Sequence, residues 1–177
     1  MSVAVAAPDV VVGAIVFTDI VGFTEYTALR GDADALALLA VQERIVEAAL
    51  SPGARVVKEL GDGLLLWFPD ACDAVRTCLD LQARFEYESM ESMMPLWVRI
   101  GIHWGRPTRR RDDIVGHDVN LASRIVNVAG PGEVLLSEAT VLAANGALAA
   151  VAEVEELGPV VMKGIPEPVR LYRAVRV

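Results

Sequence analysis

An uninterrupted, largely β-branched apolar run, Val10 to Phe17, leads almost at once to a carboxylate, Asp19, and Gly22 follows three residues later. A run with no polar alternation reads as a strand covered on both faces, so the fold must bury it inside a sheet. A helical pattern begins directly after the glycine. This layout puts a hard-cation ligand at a strand end and free backbone N–H groups at a helix start. Metal beside phosphate is the chemistry it suits.

The rest of the chain supplies a succession of elements. Phe23 to Leu29 reads as a short helix, and Asp32 as the N-cap of a second helix over Asp34 to Leu50. Arg55 to Leu60 and Leu64 to Phe68 read as strands joined by the tight turn Gly61-Asp62-Gly63, a hairpin with an acidic tip. Pro69-Asp70 starts a helix, followed by a polar, Met-rich connector from Glu86 to Met94. Leu96 to Trp104 reads as a strand, Pro107 to Asp112 as a basic excursion and Asp113 to Gly116 as a brief extended piece. Val119 to Ala129 is a helix, with Leu121, Ile125 and Val128 as its core stripe. Glu133 to Leu136 is a strand, and Ser137 caps a short helix. Val151 to Glu155, Val160 to Lys163 and Arg170 to Val177 close the chain as strands. The order β-α-β-β-α-β predicts an α+β fold: a ferredoxin-like core with an antiparallel sheet and helices on one face, plus additional C-terminal α/β elements. Residues 1–9 read as a loose N-terminal end and residues 10–177 as one domain, since no repeat or linker interrupts them.

Composition narrows the function. Hydrophobic residues make up 54% of the 177-residue chain, enough for a sizeable core and against disorder. The net charge is −8, which argues against a nucleic-acid or anionic-membrane partner, since either needs a basic face. Cys72 and Cys78 fit neither a disulfide framework nor metal spacing, so a reducing cytoplasm is the expected setting. No apolar run is long enough to span a bilayer.

Several residues carry candidate chemistry. In a ferredoxin-like sheet the first strand and the central hairpin are neighbours, so Asp19 and Asp62 can converge. Two carboxylates with a backbone carbonyl suit Mg²⁺ or Mn²⁺; singly, each reads as a cap or a turn residue. Val21, Gly22, Phe23 and Thr24 offer consecutive amides to a phosphate. Lys58 lies four residues before Asp62, on the same strand face by parity, or is a plain solvated lysine. Arg99 sits in an otherwise apolar strand and implies an anion nearby. Asn120 and Arg124 share a helix face turned from the core, toward solvent or a partner. By pattern Lys163 is only a strand-end lysine, and His103 and His117 read as structural.

Together these pieces resemble the class III nucleotidyl cyclase catalytic domain, from about Val10 to Val175. The resemblance is carried by Phe17-Thr18-Asp19-Ile20-Val21-Gly22-Phe23-Thr24, Lys58-Glu59-Leu60-Gly61-Asp62-Gly63, Arg99-Ile100-Gly101-Ile102-His103, Asp113-Ile114-Val115-Gly116, Val119-Asn120-Leu121-Ala122-Ser123-Arg124 and Met162-Lys163-Gly164. It implies an adenylyl cyclase of the bacterial homodimeric type, turning ATP into 3′,5′-cyclic AMP and pyrophosphate with two Mg²⁺ or Mn²⁺ per site. By resemblance Asp19, Asp62 and the Ile20 carbonyl hold metal, and Lys58 and Asp113 read the base. Asp112 and Asp113 are adjacent, and Asp113 is chosen for its spacing to Gly116 and Asn120. Asn120 orients the ribose, Arg124 stabilises the transition state, and Arg99 and Lys163 meet the β- and γ-phosphates. The family's head-to-tail dimers imply a homodimer with shared sites. A guanylyl cyclase and an inactive nucleotide-sensing module are the rival readings. Trp104 and the short Arg109 to Asp112 segment depart from the family pattern.

Overall fold

The structure is a computed structural model that describes residues 3–177. Met1 and Ser2, part of the expected loose end, lie outside the described residues. Residues 3–9 are exposed and lack regular structure, although the Asp9 carbonyl accepts from the Arg109 amide at 2.7 Å.

The elements run β1 (Gly13–Ile20), α1 (Phe23–Arg30), α2 (Asp32–Ala49), β2 (Arg55–Leu60), β3 (Gly63–Phe68), α3 (Ala71–Glu91), β4 (Val98–Gly105), β5 (Thr108–Arg110), β6 (Asp113–Val115), α4 (His117–Val128), β7 (Val134–Ser137), α5 (Glu138–Ala144), a 3-10 helix (Asn145–Ala150), β8 (Ala152–Val160) and β9 (Val169–Arg176). One seven-stranded sheet has the order β2-β3-β1-β4-β7-β9-β8, and β5 and β6 form a separate ribbon. The first four strands keep the ferredoxin-like order. β1 lies between β3 and β4, and helices pack on both of its faces, which is why its apolar run is continuous.

The sheet is mixed rather than antiparallel throughout, because β4 and β7 pair in parallel. That pairing requires a crossover, and the crossover contains α4. The helices therefore cover both faces, not one. Ala14, Val16 and Ile20 of β1 pack in the cluster that also holds Leu38 and Val46 of α2 and Val75 and Phe85 of α3. The alternate residues Ile15 and Phe17 pack with Ala122 and Val126 of α4, while Leu121 and Ile125 meet Leu135 and Leu171. Val128, expected in the stripe, is 43% exposed; Ala122 and Val126 take its place.

Other boundaries moved for local reasons. Gly31, not Asp32, is the N-cap of α2. The first part of the expected connector, Glu86 to Glu91, is instead the last part of α3, and only Ser92 to Met94 connect onward; Glu and Met are good helix formers, and their exposure does not end a helix. β8 continues through Val160, with a register shift between Glu156 and Gly158. Gly158 has φ 85°, and an edge strand tolerates both the bulge and Pro159. The stretch after it contains no second strand, so Lys163 sits in the loop before β9.

The seating of α4 depends on one residue. A Cβ on Gly101 would lie 2.5 Å from the Val126 nitrogen and 3.0 Å from the Ile125 carbonyl carbon. Gly101→Ala is expected to push α4 off the sheet and lose about 1–3 kcal/mol of stability by denaturant unfolding. Gly146→Ala, with open space around its added methyl, should stay within about 0.5 kcal/mol of the parent.

Candidate active site

At the end of β1, Asp19 stands opposite Gly63 of β3 and Arg99 of β4. Antiparallel pairing on both edges brings three stretches distant in sequence to one point. The approach of β3 is unusually close: a Cβ on Gly63 would lie 2.3 Å from the Thr18 carbonyl oxygen. The Leu64 amide also donates to Thr18 Oγ1 at 3.1 Å. The preceding turn residue, Asp62, is thereby held against Asp19.

The crowding is visible in the titration of Asp62. Burial, then the charge of Asp19 and a hydrogen bond with its carboxyl, push Asp62 from 3.8 up to about 6, with Arg99 pulling partly the other way. Arg99 is the counter-ion to Asp19. Its Nε and Nη2 both donate to Asp19 Oδ2, at 2.8 Å and 2.6 Å, and its Nη1 reaches the Asn127 carbonyl at 3.3 Å. The anion that a cation in an apolar strand demanded is thus Asp19. The donor set fits a hard divalent cation, being two crowded carboxylate groups at the strand end that Ile20 completes. Among the described residues no group of three or more His, Cys, Asp or Glu is gathered for a metal, so any remaining ligands would be carbonyl, water or substrate oxygens.

The expected phosphate cradle is narrower than its sequence. The Val21 amide donates to the Trp97 carbonyl at 2.7 Å, which withdraws Val21 from the set. Gly22 adopts φ 74° as the N-cap of α1, without a side-chain cap. The amides of Gly22, Phe23 and Thr24 therefore open a helix whose first turn lacks intrahelical acceptors.

A second cluster lies where β2 meets β6. Lys58 Nζ donates to Asp113 Oδ2 at 2.9 Å, and this bond holds the Asp113 carboxyl below its usual range. Asp112 offers only its backbone carbonyl, to Arg55 at 3.0 Å. Of the two adjacent carboxylates, Asp113 is the one beside Lys58. The parity used to align Lys58 with Asp62 does not apply, since β2 ends at Leu60 and Asp62 lies in the turn beyond it.

Asn120 is exposed and Arg124 half-buried on α4. Neither of these side chains, nor that of Lys163, makes a hydrogen bond or ion pair among the described residues. The start of α4 is pinned from β4: buried His103 links Ser137 Oγ at 2.8 Å to Asp118 Oδ1 at 3.2 Å. Burial holds His103 below its ordinary value against the opposing effect of Asp118. The histidine is structural, as its spacing indicated. Sequence reasoning missed Ser123 and Asn127, which line the cleft with Asp19, Leu60 and Arg99. The signal was present, because Asn120, Ser123 and Asn127 repeat at helical spacing on one face.

The chain matches the family model for the adenylate and guanylate cyclase catalytic domain over residues 6–174. It is 36% identical over 124 residues to an adenylate cyclase of Streptomyces griseus, covering 70% of this chain and 30% of that protein. The crystal structure of the adenylyl cyclase CyaB from P. aeruginosa superposes with a TM-score of 0.82 at 26% identity, over 97% of both chains. The guanylyl cyclase Cya2 superposes at 0.78 with 22% identity, over 96% and 94% of the two chains, and shows the fold alone. The chain thus spans about a third of the length of its Streptomyces relative. Among the described residues no helix is long and apolar enough to cross a membrane.

Because folding raises the Asp62 pKa to about 6, the folded chain binds this proton more tightly than the unfolded chain. The stabilisation is present at low pH and is lost as pH rises from about 4 through 6. In chelator, Asp62→Asn should therefore melt higher than the parent at pH 7–8, by roughly a few degrees, and the gap should close near pH 4. A gap that does not vary with pH in thermal scans would contradict the crowding.

Proposed function

The chain belongs to the adenylate and guanylate cyclase catalytic domain family, the class III nucleotidyl cyclases, and on that premise we propose that it converts ATP to 3′,5′-cyclic AMP and pyrophosphate. The observation that carries the choice of ATP is the Lys58–Asp113 pair at 2.9 Å. Lysine only donates, which suits adenine N1, and the aspartate accepts from the adenine amino group. The bond between the two fixes both at one point before any base arrives.

The ribose 3′-oxygen attacks the α-phosphorus in line; the new P–O bond forms as the bond to the bridging oxygen breaks, and pyrophosphate leaves. The hydroxyl proton passes to Asp19 or to solvent. Asn120 holds the ribose for the in-line approach, and Arg124 meets the charge growing on the α-phosphoryl group. Arg99, Lys163 and the amides of Gly22, Phe23 and Thr24 bind the β- and γ-phosphates. Asp19, Asp62 and the Ile20 carbonyl would hold two Mg²⁺ or Mn²⁺, which when bound acidify the hydroxyl and neutralise the triphosphate.

The site is shared between two copies of the chain arranged head to tail. One contributes Asp19, Asp62 and Arg99; the other contributes Lys58, Asp113, Asn120, Arg124 and Lys163. Two features support this. Among the described residues of one chain, no hydrogen bond or ion pair joins the Lys58–Asp113 cluster to the Asp19–Arg99 cluster, and Arg124 on α4 has no partner. The setting proposed is cytoplasmic, with neither nucleic acid nor membrane as a partner of this domain. Guanylyl cyclase activity is the second reading, favoured only by fold likeness to enzymes such as Cya2.

Purified protein with Mn²⁺ should form cyclic AMP from ATP faster than cyclic GMP from GTP, and Lys58→Glu with Asp113→Cys should remove that preference. Equal rates from both nucleotides in the parent would defeat the assignment of the base pair.

Asp19→Ala and Arg124→Ala should each lose activity, Arg124→Ala by about a hundred- to a thousand-fold. Mixing the two should restore part of it, because each mixed dimer keeps one intact site. No recovery, with mixed dimers demonstrated by tag capture, would argue against shared sites.

A further inference from the structure

The middle of α2 carries a polar residue in an apolar stripe. Ala35, Leu38, Gln42 and Val46 are its buried residues, and Gln42 is 1% exposed. Its Nε2 donates to the Asp62 carbonyl at 3.3 Å, across a separation of 20 residues. Its Oε1 is buried and has no partner among the described residues. The amide orientation follows from the partner, because reversing it would aim oxygen at oxygen. Packing alone would favour an apolar side chain of the same length, which would fill the stripe and leave no acceptor orphaned.

What the bond restrains is the turn that carries Asp62. That residue lies between Gly61, at φ 62°, and Gly63, and two glycines leave the turn little stiffness of its own. Asp62 directly precedes Gly63, the residue paired with Asp19, and repulsion between the two carboxylates tends to swing the Asp62 side chain away. Fixing the Asp62 carbonyl from α2 fixes the peptide plane and so the direction in which the side chain departs. α2 itself is anchored in the core on the far face of the sheet.

We propose that Gln42 is a positioning residue of the cation site: through its bond to the Asp62 carbonyl it holds the Asp62 carboxyl against that of Asp19. This rests on reading Asp19 and Asp62 as the metal-binding pair. Gln42 touches neither substrate nor metal, and it acts only through the turn.

The test compares the parent with Gln42→Met and Gln42→Leu, which remove the donor and the orphaned oxygen together. Mn²⁺ binding is measured without nucleotide, by calorimetry and by the spin-resonance signal of free Mn²⁺, and unfolding is followed by heat in chelator. The variants should melt at or above the parent temperature while the Mn²⁺ dissociation constant rises about tenfold or more, the usual scale for a residue supporting a metal ligand. Parent-like Mn²⁺ affinity in stably folded variants would overturn the proposal. So would a fall in melting temperature in both variants, which would make Gln42 a packing residue. If the parent binds no Mn²⁺ that Asp62→Asn abolishes, the cation reading itself fails and the role of Gln42 with it.

Discussion

The pairing of β1 with strands that run against it on both edges is the constraint from which the rest follows. It places the end of β1 beside the start of β3 and the start of β4, so Arg99 on its strand and Asp62 in the turn just before β3 both meet Asp19. Rigid strands fix such positions better than loops. The close approach is set by absent side chains: Gly63 leaves room for the Thr18 carbonyl, and Gly101 leaves room for the backbone of α4. Were either contact relaxed, the acidic pair or the helix bearing Asn120 and Arg124 would shift.

Much of this was legible in the sequence because it rests on local rules. An unbroken apolar run identified a central strand, and Gly-Asp-Gly identified an acidic turn. The strand order of a ferredoxin-like core then predicted that Asp19 and Asp62 converge. Arg99 announced an anion nearby, and Asp19 proved to be that anion. What escaped was non-local. The second helical layer needed the parallel β4–β7 pair, which no periodicity reports. The length of α3 escaped because an exposed Glu- and Met-rich end looks like a linker. The Val21 amide was counted as free because its acceptor, the Trp97 carbonyl, lies far along the chain.

The Lys58–Asp113 pair shows the same division. The residue types could be read from sequence, but the choice between Asp112 and Asp113 rested on spacing alone. The contact of β2 with β6 separates them, giving one a side-chain role and the other a backbone one. A cation and a carboxylate that are each about a third exposed contribute little to stability as a pair. Their value lies in direction, since each orients the other toward one location.

The region around Asp19 departs from what stability alone would select. Asp62 titrates near 6 because its ionised form is opposed by burial and by Asp19, and Gln42 keeps an acceptor buried without a partner. Asp62 lies in the turn and Gln42 reaches it from α2, and a hydrophobic residue at Gln42 or an amide at Asp62 would relieve them. Arg99 offsets part of the strain by neutralising Asp19, but its position on β4 leaves Asp62 without a cation of its own. Strain of this kind, concentrated at one place and compensated by well-packed layers on both faces, is expected where a site is arranged for a charge that arrives from outside. The unmatched charge lies on oxygen donors alone, at the end of the strand that runs into the α1 amides, and the proposed substrate, a triphosphate with a divalent cation, would answer both needs together.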